Sequence, residues 1–350
     1  MFAYLVKRLL MMLPTLFIIT FASYGMLRVA PGDPVKANMA MSEGGGKSGG
    51  GDVQREGESA AAKAFRKYYG LDQSILTGYW WWLTGNPNLP DSRGILRGDF
   101  GISLTVSLGS PVSAMLAQRL PPTLKLNLWS LIFIYGIAIP VGIYAAIHRQ
   151  HLLDRGSALV FFLLYSLPSF WLGLLLIIFV SRYLPWWPTR GLDAALPLTA
   201  SYWQVLGETV WRYILPVLCL SCGGLAFLSR YSRSAMLEVI RQDYIRTARA
   251  KGLPERVVIL KHALRNGMIP LITMFAGLLP GLISGSVFVE IIFGIPGMGM
   301  LAMEAIGSRD YPLLMTLFAL TSALTMVGIL LSDLAYCLVD PRISLGEKAN

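Results

Sequence analysis

Six stretches of this 350-residue chain are apolar for about the length of a bilayer core. They are Leu9–Leu27, Thr123–Ile147, Gly156–Val180, Tyr213–Leu228, Ile269–Ile292 and Leu313–Val339. A helical span takes ~20 mostly apolar residues. Hydrocarbon offers the backbone no hydrogen bonds, so each span must close its own, which expects an all-α chain. Pro140, Pro168, Pro216 and Pro280 fall inside these runs and do not argue against them, because bundle neighbours re-satisfy the freed carbonyls. Only 14% of residues are charged, against ~25% in an average soluble domain. That excludes an ordinary soluble enzyme and a disordered chain.

The runs divide the chain into an N-terminal span (1–29), a polar extracytoplasmic segment (30–122), a five-helix core (123–340) and a short tail (341–350). The first run follows Lys7 and Arg8. It is too long for a signal-peptide core and lacks a small-residue cleavage pattern before Ala30, so it reads as an uncleaved span with its N-terminus inside. The polar segment opens on Ala30-Pro31-Gly32-Asp33-Pro34, which no helix continues through. Its Gly/Ser-rich tract Ser42–Gly51 reads as a flexible loop. Lys63–Tyr69 and Ile75–Leu83 read as short amphipathic helices, and Trp80, Trp81 and Trp82 suit headgroup depth.

The net charge of +10 is placed as the positive-inside rule demands, and no nucleic-acid partner is implied. With the N-terminus inside, both termini and the loops 148–155 and 229–268 are cytoplasmic. The loop 229–268 alone holds nine bases and three acids. In it Leu237, Ile240, Tyr244 and Ala248 recur at helical spacing. Gly252 fits the residue after a helix end, and Pro254 follows. A second helix, Val257 to Arg265, leads into the fifth span. Ala248, Ala250 and Gly252 would let another surface come close.

Other constellations carry less. Gly44-Gly45-Gly46-Lys47-Ser48 lacks the first glycine of a phosphate-binding loop, where Met41 stands, so the chain has no evident nucleotide site. Cys219 and Cys222 have redox or zinc spacing but sit in a span without further ligands. His148 and His151 likewise lack a ligand cluster, and no metal, cofactor or catalytic group is expected. Glu290, near the end of the fifth span, has two readings: it lines a translocation path or gate, or it bonds to the loop that follows.

The run Tyr244-Ile245-Arg246-Thr247-Ala248-Arg249-Ala250-Lys251-Gly252-Leu253, then His262-Ala263-Leu264-Arg265-Asn266 and Pro270, resembles the cytoplasmic loop of binding-protein-dependent ABC importer permeases. The likeness is to the dipeptide/oligopeptide type, B-type subunit. It extends over Tyr4–Leu10, Ala30–Pro34, Gly98-Asp99-Phe100-Gly101, Leu120-Pro121 with Thr123, Val289-Glu290, Phe293, Pro296-Gly297, Asp310-Tyr311-Pro312, Asp333 and Asp340–Ile343. The Gly-rich insertion and Ser308–Pro312 look most like the Yej-type branch, associated with oligopeptide and microcin C uptake. Arg246-Thr247-Ala248 stands where the general motif of such permeases has Glu-Ala-Ala.

The resemblance implies a type I importer permease with six spans, in the bacterial inner membrane. It implies transport of peptides delivered by an extracytoplasmic solute-binding protein, with a related C-type chain as second permease. ATP and Mg would be used by separate ATPase subunits. Those would dock on a coupling helix formed by Asp243, Tyr244, Thr247, Ala248, Arg249, Ala250, Gly252 and Leu253. Nickel and oligosaccharide importers share the architecture, and spacing does not select among cargoes. A self-contained secondary transporter or channel is the rival reading, though no internal repeat is evident; an intramembrane enzyme would need paired acids or an intramembrane His, and neither is evident. Deleting Ser42–Gly51 is expected to leave insertion and assembly unchanged, checked by membrane-fraction yield and co-purification of partners.

Overall fold

The computed structural model describes residues 2–29, 66–67, 70, 72–88, 92–148, 151–191, 200–268, 271 and 279–339. The tract Ser42–Gly51, the Ala30–Pro34 stretch, most of the Lys63–Tyr69 helix and the tail 341–350 lie outside them. Among the described residues every regular element is helical. In chain order these are α1 (Phe2–Val29), α2 (Ile75–Thr84), a single 3-10 turn (Ile95–Arg97), α3 (Val112–Ile147), α4 (Leu152–Ser166), α5 (Ser169–Tyr183), α6 (Tyr202–Ile240) and α7 (Asp243–Ala250). Then come α8 (Glu255–Val257), a π-helical turn (Val258–Ala263), α9 (Leu264–Gly267), α10 (Leu279–Ser284), α11 (Val287–Phe293), α12 (Met298–Ser308) and α13 (Tyr311–Val339).

Four helices contain unbroken candidate spans: Val6–Val29, Val112–Ile147, Tyr202–Ile240 and Tyr311–Leu331. Two further helix pairs are long and apolar enough only when taken together, each as a broken span or a re-entrant loop: Asp154–Ser166 with Ser169–Tyr183, and Gly281–Phe293 with Met298–Ser308. Counting each pair as one span gives six in number, but the expected fifth span Ile269–Ile292 lies partly outside the described residues, and Met298–Ser308 lies beyond its expected end. The expected single span Gly156–Val180 is corrected, since α4 and α5 meet at a 101° bend. The cause is local. Leu167 before Pro168 is extended, as the proline ring demands of its predecessor, and α5 restarts directly after Pro168. Two boundaries also move. α3 begins at Val112 and passes through Pro121 and Pro122, ahead of the expected start of the second span at Thr123. α6 is 39 residues long, well beyond the expected Tyr213–Leu228.

The chain forms two compact units, residues 1–119 with 301–326, and residues 120–300 with 327–350. In the first unit α2 is fastened to α1 by Tyr79. Its ring packs edge-on against Phe17, Phe21 and Tyr24, and its hydroxyl lies 2.8 Å from Thr20 Oγ1. Arg28, at the end of α1, donates to the carbonyls of Gly70 and Gln73. The loop before α3 is gathered by one buried carboxylate. Asp310 Oδ2 accepts from Ser103 Oγ at 2.6 Å and from the backbone N–H of Leu104, Thr105 and Val106. Its Oδ1 accepts from Leu313 N, in the first turn of α13. A single side chain thus satisfies both a run of loop amides and a helix start, which explains why an ion is tolerated with no exposed surface.

The second unit is organised around α6. Leu126 of α3, Val180 of α5, Tyr213, Leu215, Val217 and Cys219 of α6, and Val289 and Phe293 of α11 form one buried cluster. Phe161 and Leu164 of α4 pack with Leu225, Ala226 and Leu228 in another. Asp310→Ala strands several buried amides, so it is expected to destabilise the folded chain by ~2–4 kcal/mol. A thermal melt of the purified protein checks this, with Ser103→Ala as a milder comparator.

Candidate functional site

Residues 229–268 form an elbow with a small core of its own. α6 ends at Ile240, Gln242 is extended, and α7 starts at Asp243. The expected single stripe through Leu237, Ile240, Tyr244 and Ala248 is therefore corrected. The break at 241–242 resets the helical phase, and α7 buries Ile245 and Ala248 while Tyr244 stays largely exposed. These two pack with Ala146, Met236, Val258, Ile259 and Ala263, flanked by Leu237 and Ile240. The expected helix from Val257 to Arg265 is found as α8, the π turn and α9. The wide turn puts Val258, Ile259 and Ala263 on the same cluster.

Two polar ties hold α7 to the following segment. Arg249 makes a two-pronged bridge to Glu255, Nε to Oε2 at 3.1 Å and Nη2 to Oε1 at 2.6 Å. Asn266 Nδ2 donates to the Tyr244 hydroxyl at 2.9 Å. The hydrogen bond from Arg249 holds the Glu255 carboxyl below its ordinary range, and the same bond pushes Arg249 up. The bridge is therefore intact at neutral pH. It is lost only as pH falls through the depressed Glu255 pKa. Between them the chain turns on Gly252, whose φ of +75° lies in the left-handed region and whose N–H bonds to Arg249 O. No atom crowds a side chain there, so glycine is required by conformation and not by space.

This geometry sorts the eight elbow residues. Ala248 faces the chain's own core, which corrects its placement on an outward stripe of small residues. Asp243, Thr247 and Ala250 are exposed, together with Arg246 and Lys251. Asp243 sits at the first position of α7, 3.4 Å from Arg246 Nη1. Thr247 Oγ1 bonds back to Asp243 O. Arg249 is committed to Glu255, Tyr244 to Asn266, and Leu253 lies exposed after the turn.

Glu290 lies apart from the elbow, fully buried on α11. Its Oε1 accepts from Thr123 Oγ1 at 2.9 Å and its Oε2 from Met300 N at 2.8 Å. Thr123 Oγ1 in turn accepts from Met298 N at 2.7 Å. The carboxylate is thus spent on the turn that follows its helix. Gly297 fits only because it has no side chain: a Cβ would fall within 2.6 Å of the Glu290 carboxylate and onto Thr123 Oγ1.

Sequence reasoning missed a third group. Asp154, in the first turn of α4, takes a two-pronged bridge from Arg233 of α6, Nε to Oδ1 at 2.9 Å and Nη2 to Oδ2 at 3.0 Å. Arg233 had counted only toward loop charge. The available signal was an acid at a helix start opposite a base within a long apolar helix. Cys219 and Cys222 are free thiols, bonded to the carbonyls of Ser169 and Leu218. His148 and His151 meet edge to face, and no metal-ligand cluster occurs among the described residues.

The family model described as binding-protein-dependent transport system inner membrane component matches residues 138–345. The chain is 38% identical over 343 residues to the oligopeptide transport system permease protein AppB of Bacillus subtilis (strain 168), covering 98% of this chain and 99% of that one. It is 33% identical over 343 residues, with the same coverage, to the glutathione transport system permease protein GsiC of Escherichia coli (strain K12). Among solved structures, a chain from the inward-facing MetNI methionine ABC transporter aligns with a TM-score of 0.50 at 20% identity. The alignment covers 65% of this chain and 97% of that chain, a likeness of fold. Gly252→Val should loosen the elbow turn by ~1–2 kcal/mol, the cost of left-handed backbone, and Gly252→Asn by less. Trypsin cleavage at Lys251 and Arg256 in the purified chain measures the difference.

Proposed function

The chain belongs to the binding-protein-dependent transport system inner membrane components, and on that premise we propose how it works. It is the permease subunit of a peptide-type ABC importer. Full-length similarity to permeases named for oligopeptide and glutathione transport supports short peptides as cargo. The pathway is shared with a second, related C-type permease. A solute-binding protein delivers cargo to the outer face. Both termini lie in the cytoplasm, as the distribution of Lys and Arg favours.

The observation that carries the mechanism is the elbow. Its inner face is saturated by its own core, and its outer face presents Asp243, Arg246, Thr247 and Ala250 on one short helix. This is the docking surface for a cytoplasmic ATPase subunit, which binds and hydrolyses ATP with Mg. The elbow is a lever and not a reaction site, since rigid-body displacement needs only a stiff contact. Arg249–Glu255, Tyr244–Asn266 and the Gly252 turn supply the stiffness, and Leu253 borders the surface. Glu290 acts on the path through the turn it holds, fixing residues 294–300 in one shape while the bundle moves around it.

Two alanines two residues apart test this. Ala250→Glu alters only the exposed face. It should leave the elbow folded yet lower ATP-driven peptide uptake about tenfold or more in proteoliposomes containing all subunits, within the usual range of coupling energies. Ala248→Glu buries an unpaired carboxylate in the elbow core, so it should raise protease sensitivity first. Wild-type uptake by the Ala250 variant would remove the docking assignment.

A further inference from the structure

Asp154 and Arg233 join the elbow end of α6 to the bent α4–α5 pair. Arg233 lies two helical turns before α6 ends, and the next turn, Met236 and Leu237, packs in the elbow core with Ile245 and Ala248. α3 braces the same stretch of α6: a side chain on Gly142 would come within 2.6 Å of Ser229 O and 2.7 Å of Ser232 Cβ. Any displacement of the elbow therefore reaches Arg233 with little slack. On the other side of the bridge, Asp154 opens α4, its side chain 8% exposed. α4 then breaks at Leu167–Pro168 by 101°, and α5 packs through Gly173 against Cys219, Ile292 and Phe293, the last two on α11.

α4 and α6 also share an apolar contact, through Phe161 and Leu164 against Leu225, Ala226 and Leu228. Apolar contacts have no direction and can slide by a side chain. A two-pronged guanidinium–carboxylate fork fixes both distance and orientation. Such a fork is directional enough to pass a displacement of α6 on to α4 and the bend that follows it.

We propose that the Asp154–Arg233 bridge is the joint that carries elbow movement into the bent α4–α5 pair, and that both are positioning residues for transport. The inference rests on the elbow being the ATPase docking site. Without the bridge, hydrolysis continues but is no longer converted into opening and closing of the path. Asp154 keeps a favourable place at a helix start when Arg233 is replaced, so Arg233→Gln is the gentler variant.

The experiment uses the whole complex in proteoliposomes, with a radiolabelled mixture of tri- to pentapeptides as probe. Hydrolysis and uptake are measured per folded complex, and cross-linking of a Thr247→Cys elbow to the ATPase is measured in parallel. Arg233→Gln should keep hydrolysis within about twofold of wild type and lower peptide taken up per ATP about tenfold, as couplings of this kind span roughly 5–150-fold. The exchange Asp154→Arg with Arg233→Asp should recover most of the loss, which a general weakening of the fold would not. Unchanged uptake per ATP in Arg233→Gln, or a proportional fall of hydrolysis and uptake, overturns the joint while the docking reading stands. Loss of the Thr247→Cys cross-link in the otherwise wild-type complex overturns the docking reading and the joint together.

Discussion

A bilayer core supplies no hydrogen-bond partners, so every amide freed where a helix starts, bends or stops must find one inside the protein. In this chain two acidic side chains, Asp310 and Glu290, take up such amides, and a third, Asp154, is buried against a guanidinium. Asp310 gathers the amides of Leu104, Thr105 and Val106 and opens α13. Glu290 holds Thr123 and the amide of Met300 across the turn after α11. Asp154 opens α4 and fixes it to Arg233. Each is buried, and each is paid back through charge-assisted hydrogen bonds in place of water. Removing any one exposes the desolvation cost that its partners now offset.

The elbow follows a different rule, that of a miniature soluble core. Ile245 and Ala248 are all that α7 buries, and a helix of eight residues has no stability of its own. It persists because α6, α8, the π turn and α9 supply the rest of the cluster, and because Arg249–Glu255 and Tyr244–Asn266 close the loop. Exposed bridges contribute little singly. Their value here is geometric, since they hold the turn on Gly252 in one shape.

Much of the architecture was legible because burial in lipid writes long apolar runs. The helix Ile75–Leu83 was found almost to the residue, and Gly252 was recognised as a helix stop from its neighbours alone. The second span's early start at Val112 and the break at Pro168 were not legible. Proline in a span is compatible with a straight helix, a kink or a full break, and its neighbours in space decide which.

The amino-acid order by itself determined that this is a helical membrane protein with a basic, capped elbow and a dipeptide/oligopeptide permease likeness, because period, length and charge are local properties. Only the tertiary structure decided that Ala248 turns inward, that Glu290 is spent on Thr123 and Met300, and that Asp154 meets Arg233 across 79 positions of sequence. Those facts depend on which helix faces meet. A two-residue break such as Arg241–Gln242 resets the phase of all that follows, so periodicity alone could not carry the pattern past it.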